Sequence, residues 1–351
     1  MKTASRLVVG GGPVALSAAL ALADFSEALL LAPTPTSKGR QFALGWKALK
    51  FLKQLGVEFE SNPVRRFLLF ADKHNTTLES KKFPTLCRIV CETALIHALC
   101  KRLKQSSVLA NAFSPVARYT PTSNGAKLIL DDGRCFSTGL LAAADGARSR
   151  IAQCAGIGAA IHPFEQLAIS ATLTAPMDDN TAAQWFGKND TLALLPMGGG
   201  LFSLIWSLCK NRALTLTNMD DLATAVAGRT GWKIRTINDK IENFELAALR
   251  RAVRCAPGLA FLGEAAQVIH PLAGQGLNMG LADSEWLAKC AQKNPANPVK
   301  TLADYAAGRE IKTEFFHFLT AAFAAGYPAS VALGVGNKTP FYKLAALGAN
   351  L

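Results

Sequence analysis

Gly10-x-Gly12-x-x-Ala15 stands between the apolar run Leu7-Val8-Val9 and the apolar stretch Val14–Ala23. A strand, a Gly-rich turn and a helix in that order open a dinucleotide-binding βαβ unit. Each position has a task. Gly10 makes the tight turn, Gly12 lets the backbone approach a pyrophosphate, and Ala15 lets the helix lie close to the strand. Pro13 suits the first helical turn, where its missing N–H costs nothing. The helix N-terminus then turns its positive end toward the phosphates. An ordinary Gly-rich strand-to-helix turn fits the same residues. The carboxylate that would hold a ribose diol at the end of a second strand, Ala28–Leu31, is missing. Ala32 and Pro33 follow, and Thr34, Thr36 or Ser37 are left to offer a hydroxyl.

Two later segments carry chemistry. Leu140–Ala144 reads as a buried strand running into Asp145-Gly146, the place where α/β sheets bind cofactors. Asp145 or Ser149 also suits capping of the helix that follows, and the two roles are compatible. Leu259–Gly263 reads as another buried strand, ending in Glu264. A Gly-rich turn into a helix comes next, His270-Pro271-Leu272-Ala273-Gly274-Gln275-Gly276-Leu277-Asn278-Met279-Gly280. Arg40 is within reach of a phosphate, although a solvated loop arginine is the simpler reading of its position. His97 and His270 stand singly. No Ser/His/Asp or Cys/His nucleophile set is evident and no Cys/His group has zinc spacing. The catalytic residues are therefore unassigned, and no metal is expected.

Several elements must position these groups. Residues 43–55 pattern as an amphipathic helix stopped by Gly56, and residues 92–104 as another. Strands with turns at Asn124-Gly125 and Asp131-Asp132-Gly133 fill 108–144. Residues 167–175, 191–196 and 201–208 read as strands with no long helix among them until 219–228. That predicts a mostly antiparallel sheet apart from the first unit. Trp185, Phe186, Phe202 and Trp206 lie in or beside it, either lining a pocket for an aromatic or greasy substrate or, more simply, filling its core.

A chain of 351 residues allows two domains, or one large domain with an insertion. With 50% hydrophobic and 18% charged residues it can bury a real core, which excludes global disorder. The 38 basic against 25 acidic residues leave a net charge of +13, which favours anionic partners such as phosphates or an anionic membrane surface. The basic residues come in short clusters without a nucleic-acid motif, so no nucleic acid is expected. Eight scattered cysteines read as free thiols in a reducing compartment. The basic-then-apolar start has the outline of a signal peptide, but Gly10–Pro13 breaks its apolar run. No other stretch is apolar enough to span a membrane.

The run from His270 to Gly280, with Gly10-x-Gly12-x-x-Ala15, Asp145-Gly146 and Gly263-Glu264 in the same order, resembles the flavin-contacting signature of the class A flavoprotein monooxygenases. Within that group it resembles the ubiquinone-biosynthesis hydroxylases. Arg40-x-x-Ala43-Leu44 and Leu192–Pro196 are similar too. The resemblance implies an α/β fold with an α+β insert: a Rossmann-like FAD-binding domain, a mostly antiparallel-sheet substrate domain and a helical C-terminal part. The expected boundaries are 1–70, 86–165 and 246–300 for the FAD-binding domain, 71–85 and 166–245 for the substrate side, and 301–351 for the C-terminal segment.

The implied cofactor is FAD. Its expected partners are Gly10, Gly12, Ala15, Arg40, Asp145, Gly263, Glu264, Pro271, Gly274, Gln275, Gly276, Leu277 and Asn278. Glu264 can accept from ribityl hydroxyls, and Pro271 with the turn 274–276 lets the backbone lie flat against the isoalloxazine ring. The helix beginning near Leu277 points N–H groups at the pyrimidine end, a field that stabilises reduced flavin. No second G-x-G-x-x-G unit serves a resident nicotinamide, so NAD(P)H or another reductant is a transient donor. The implied reaction proceeds through a flavin C4a-hydroperoxide that hydroxylates a polyprenylated phenolic ring, a small hydrophobic aromatic substrate. His270 is expected to pack beside the flavin rather than to act as acid or base.

Four departures from the family pattern stand out: Ala32 for the ribose carboxylate, Glu264 for Asp, Ala152 for an Arg that Arg148 or Arg150 would replace, and Gln267 for His. They permit weak FAD binding and leave an alternative, a degenerate flavoprotein acting as a non-catalytic subunit of a biosynthetic complex. The apolar tail 303–351 either closes the core or docks the protein, in the cytoplasm, at the inner membrane face or on other quinone-biosynthesis proteins.

Overall fold

A computed structural model describes residues 2–34, 37, 39–71, 74–79, 84–236, 240–270 and 274–309. Thr36, Pro271 and the tail from 310 onward lie outside them. The first part of the chain runs β1 (Lys2–Val9), α1 (Pro13–Ala23), β2 (Ala28–Ala32), β3 (Gln41–Leu44), α2 (Trp46–Gln54), β4 (Asn62–Val64), β5 (Arg66–Ala71), β6 (His74–Glu79), β7 (Cys87–Cys91) and α3 (Glu92–Lys104). It continues with β8 (Leu109–Ala112), β9 (Val116–Thr122), β10 (Gly125–Leu130), β11 (Cys135–Ala143), α4 (Arg150–Cys154), β12 (Ala159–Thr174), β13 (Thr181–Phe186), β14 (Thr191–Gly198) and β15 (Leu201–Cys209). The last part is α5 (Lys210–Ala213), α6 (Met219–Thr230), β16 (Arg235–Thr236), β17 (Glu242–Arg251), β18 (Cys255–Ala256), β19 (Leu259–Phe261), a 3-10 turn (Gly263–Ala265), β20 (Gln267–Val268) and α7 (Gly276–Lys293). Residues 298–309 are helical.

The first sheet has the order β18-β19-β11-β1-β2-β8, with β10 and β9 added beside β11. Its centre is parallel: β1 pairs with β11 and β2, and β11 with β19. Both faces of a parallel sheet are buried, which is why Leu7–Val9 and Ala28–Leu31 are unbroken apolar runs. Alternation sorts them. Val8, Leu30, Leu140 and Ala142 face α1, α3 and α7, while Leu7, Val9, Leu31 and Leu141 face the β9–β10 hairpin and α4.

The second sheet, β20-β17-β12-β15-β14-β13-β5-β6, is antiparallel except where β13 runs parallel to β5. One face buries Leu167, Ile169, Leu194, Phe202 and Trp206 under Leu222 and Val226 of α6. That helix is capped by Asn218, whose side chain accepts the Asp221 N–H, and ends at a left-handed Gly231. A small sheet, β3-β7-β4, completes the fold. Among the described residues no helix is long and apolar enough to cross a membrane.

Four readings change. The first strand reaches well beyond the apolar run Leu7-Val8-Val9 to eight residues, because Lys2–Arg6 extend its pairing along β11. Ala43 and Leu44 leave the expected helix and pair with β7 as strand β3, with Gly45 as the break before α2. Residues 181–186, unassigned from pattern, form β13. Residues 66–70 and 159–165 lie in strands of the second sheet, so its strands reach beyond the expected 71–85 and 166–245. Trp185, Phe202 and Trp206 are core residues. All eight cysteines are free thiols.

α1 and α7 cross closely on the first sheet. An ideal Cβ on Gly280 would sit 2.5 Å from the Val14 side chain, and Ser284 Oγ donates to Val14 O at 3.0 Å. Behind them lies Asp283, fully buried. It accepts from Gly263 N at 2.9 Å and from Arg309 Nε at 2.5 Å, with Arg254 Nη1 at 3.4 Å. Truncating one partner of a buried ion pair leaves an uncompensated charge, at a cost of about 3–5 kcal/mol. Asp283→Ala is therefore expected to lower the stability of the cofactor-free protein by about that amount, measured as the urea midpoint at constant m-value.

Candidate cofactor-binding site

A cleft of about 440 Å³ opens where the loops after β1, β11 and β19 meet the start of α7, a volume within the usual range for ligand sites. Gly10, Gly12, Arg40, Asp145, Gly263, Glu264, Gly276 and Leu277, separated by up to 267 positions in sequence, share its wall. Thr34 lies there too, whereas Ser37 Oγ is used internally: it accepts Gly39 N–H at 3.0 Å and approaches Glu92. Ala15 is fully buried beneath the turn. Gly274, Gln275 and Asn278 do not line this cleft. The Asn278 amide accepts Gly45 N–H at 2.9 Å and donates to Ala43 O at 2.8 Å, fastening the β3–α2 junction to α7.

The glycines divide by cause. Gly10 has φ +140°, and a Cβ there would lie 2.3 Å from Ala144 O, so close packing onto β11 requires it. A Cβ on Gly12 would meet nothing and would project into open space. α1 and α7 both begin without a side-chain cap or an acidic first turn. Their unsatisfied N–H groups and positive dipole ends converge on one cleft, which is a site for anions.

Asp145 lines the same wall. Its Oδ2 accepts Ile151 N–H at 3.2 Å, while buried Oδ1 has no partner. Burial pushes its carboxyl above the ordinary value against opposing bonds from Ser149 and backbone amides. Ser149, not Asp145, makes the N-cap bond of α4, to Ala152 N at 3.1 Å. An unpartnered acceptor, an open glycine cradle and two uncapped helix ends fit a dinucleotide with hydroxyls and a pyrophosphate.

Three groups were not legible as site residues. Glu92, the first residue of α3, is 4% exposed and binds Arg40 through Nη2–Oε1 at 2.7 Å and Nε–Oε2 at 3.4 Å. Burial works against the Arg40 charge, but the bond to Glu92 and the nearby carboxylates Glu92, Glu264 and Glu242 hold its pKa above the ordinary value. Arg251 ties the two acidic turns together, donating to Ala265 O at 3.0 Å and to Ala147 O at 3.3 Å. Asp283 was detectable in principle, as a lone carboxylate on the apolar side of α7. Arg150 donates to Val116 O at 3.1 Å, and neither it nor Arg148 lines the cleft. Gln267 accepts from Arg254.

On the second-sheet side, β12 bulges between Pro163 and Leu167, and Glu165 takes φ 53°. The bulge brings Phe164 edge-on to His270, with centroids 4.9 Å apart, and sets Gln166 Oε1 2.9 Å from His270 Nε2. Gln166 Nε2 donates to Asn189 O at 3.2 Å. That fixes the amide orientation and makes His270 Nε2 the proton carrier. Burial lowers the His270 pKa to about 4, so the ring is neutral near pH 7.

The profile of the FAD binding domain family matches residues 3–293. Human ubiquinone biosynthesis monooxygenase COQ6 is 30% identical over 249 residues, 57% of this chain and 53% of its own length. The 3-demethoxyubiquinol 3-hydroxylase of Escherichia coli is 28% identical over 302 residues, 80% of this chain and 77% of its own. The chain thus spans about half the length of the human relative. Among solved structures, p-nitrophenol 4-monooxygenase PnpA from Pseudomonas putida has the same fold at TM-score 0.74 and 15% identity, over 100% of this chain and 94% of its own. HpxO of Klebsiella pneumoniae, complexed with FAD and uric acid, gives TM-score 0.72 at 17% identity over 99% and 92%.

Two measurements separate structural from ligand-facing groups. Gly12→Val is expected to change the melting free energy of the apoprotein by no more than about 1 kcal/mol while weakening FAD binding at least about tenfold, by titration of flavin fluorescence; Gly10→Val is expected to lose stability outright. For Asp145, a raised carboxyl pKa means that the native state binds the extra proton. Stability contributed there falls as pH rises from the unfolded value through the folded one. Asp145→Asn is expected to remove that fall and to be at least as stable as the parent at pH 7, read from melts across pH 4 to 7.

Proposed function

The chain belongs to the FAD binding domain family, and from that premise we propose that it is an FAD-dependent monooxygenase. In this reading it hydroxylates a phenolic, polyprenylated ring in ubiquinone biosynthesis, using O2 and NAD(P)H or another reductant. The observation that carries the reading is the single cleft joining Gly10–Gly12, Asp145 and Gly263-Glu264 to the start of α7. The names of the relatives supply the substrate class.

Bound FAD would supply hydride acceptance and oxygen activation. The chain's own residues bind and orient. The Gly10–Gly12 turn and the N-terminus of α1 would hold the pyrophosphate. Asp145 and Glu264 would accept hydrogen bonds from hydroxyls, with Thr34 in place of the missing carboxylate at Ala32. The amides of Gly276 and Leu277 would hold the ring. The second sheet, with the Phe164–Gln166 bulge and neutral His270, forms the substrate side and helps exclude water. The net charge of +13 suits a docking position at an anionic membrane surface or on other quinone-biosynthesis proteins.

A second reading, a flavoprotein acting as a non-catalytic subunit, is favoured by Ala32 and by the pairing of Arg40 with Glu92. Purified protein distinguishes the two. The enzyme is expected to show a bound-flavin spectrum and NAD(P)H oxidation stimulated by a prenylated phenol, and its deletion strain is expected to accumulate an under-hydroxylated prenylphenol. Protein that stays colourless and gains no flavin even at high FAD overturns the enzyme reading and favours the subunit.

A further inference from the structure

We propose that Glu92 sets the affinity of the cofactor cleft by occupying Arg40, which makes FAD a dissociable rather than a permanently held cofactor. The inference rests on the FAD reading above. Among the described residues on the cleft wall, Arg40 is the one cation, while Glu92, Asp145 and Glu264 are carboxylates. With all of them ionised, the side chains oppose the dianionic pyrophosphate that the helix ends attract.

The geometry gives Glu92 the advantage in competition for Arg40. A guanidinium recognises phosphate best through two parallel N–H donors. In Arg40 the Nε and Nη2 donors both point to Glu92, at 3.4 and 2.7 Å. The carboxylate is anchored while the guanidinium is not: the Glu92 side chain is 5% exposed and that of Arg40 is 42% exposed. Glu92 sits in the first turn of α3, where the dipole favours its charge. Ser37 Oγ lies 3.4 Å from its Oε2, and its backbone N–H donates to Arg40 O at 2.8 Å. Arg40 is additionally stacked on Phe42, 5.3 Å from the ring centroid. Among the described residues, no carboxylate or stacking ring pulls the guanidinium comparably toward the Gly10–Gly12 turn. An incoming phosphate must therefore share Arg40 through its remaining Nη1 and Nη2 protons, beside the Glu92 carboxylate, or break the pair.

The test is the dissociation constant for FAD, measured by flavin fluorescence quenching on the apoprotein alongside its melting curve. Glu92→Gln keeps the shape and removes the charge. It is expected to tighten FAD by about tenfold or more and to slow its release. Glu92→Ala is expected to shift affinity in the same direction, which guards against a packing defect in either variant. Arg40→Ala is expected to cost more affinity on the Glu92→Gln background than on the parent, since only there is the Nε–Nη2 edge released from a carboxylate. Unchanged or weaker FAD binding by both Glu92 variants would overturn the proposal and make Glu92 a positioning partner of Arg40. Parent protein that binds FAD with unaltered variants sinks this inference alone. A parent and variants that all fail to bind sink the FAD reading with it.

Discussion

The close crossing of α1 over α7 is the constraint on which the site depends. Two helices approach this nearly only if one contributes no side chain at the contact, and Gly280 meets Val14 with no Cβ between them. Ser284 then uses its hydroxyl on Val14 O rather than on water. The approach places two helix N-termini side by side, each without a cap or an acidic first turn. Like dipole ends repel, so the arrangement carries an electrostatic cost that an anion between them would offset. The fold thus stores its affinity for the cofactor in backbone geometry, where no single side chain can be credited with it.

A second device holds the far wall. Asp283 cannot reach water, so it needs cationic and N–H partners, and it finds them in Arg309, Arg254 and the Gly263 amide. Arg254 is itself largely enclosed, its side chain 12% exposed. Burial works against its charge, but Asp283 and Tyr305 hold its pKa above the ordinary value. The group therefore carries two positive charges against one negative, behind the Gly263 turn. Tyr305 adds a bond to Phe261 O at 2.8 Å, which ties the helical residues 298–309 to β19. Buried ion pairs of this kind contribute little net stability, and their better-attested use is to specify one arrangement. Here that arrangement is the orientation of the turn carrying Glu264. Arg251 does the same work from the other side, bridging Ala147 and Ala265. The cleft is consequently positive from behind, through helix ends and buried arginines, and negative at its lips, through Glu92, Asp145 and Glu264.

The backbone-determined half of this site was legible in the sequence and the charge-determined half was not. Gly10, Gly12, Asp145 and Gly263 were readable because each sits at a fixed offset from an apolar run, and the run reports where the strand ends and the helix begins; Gly276 was named through the resemblance of its motif. The central parallel strands showed themselves in unbroken apolar runs, Leu7–Val9, Ala28–Leu31 and Leu140–Ala143, and the apolar stretch after Pro13 marked α1. Ala43 and Leu44 were misplaced because four residues of strand beside a helix give the same apolar count as one longer helix. β13 escaped notice because its pattern, Thr-Ala-Ala-Gln-Trp-Phe, is buried almost throughout and lacks clean alternation. The Arg40–Glu92 pair spans 52 positions, and nothing local at either end announces the other. Asn278 illustrates the opposite error. Its motif position suggested the cofactor, but its amide is consumed in joining α7 to β3 and Gly45.

The strained backbone marks a second organised place in the fold, on the other sheet. Glu165 adopts a left-handed conformation that non-glycine residues rarely take, at the centre of a bulge in β12. Such strain persists only where the surroundings over-determine it, and it collects at functional sites. Its local effect is to bring Phe164 and Gln166 together around His270. A histidine kept neutral by burial, with its Nε2 proton directed at Gln166, is poorly matched to donate that proton at neutral pH. At 2% exposure it is instead fitted to a structural part, holding the bulge of β12 to the chain just after β20. A division of labour follows: the first sheet and its two helices build the cleft, while the bulge of β12 holds a neutral His270 in place outside its wall.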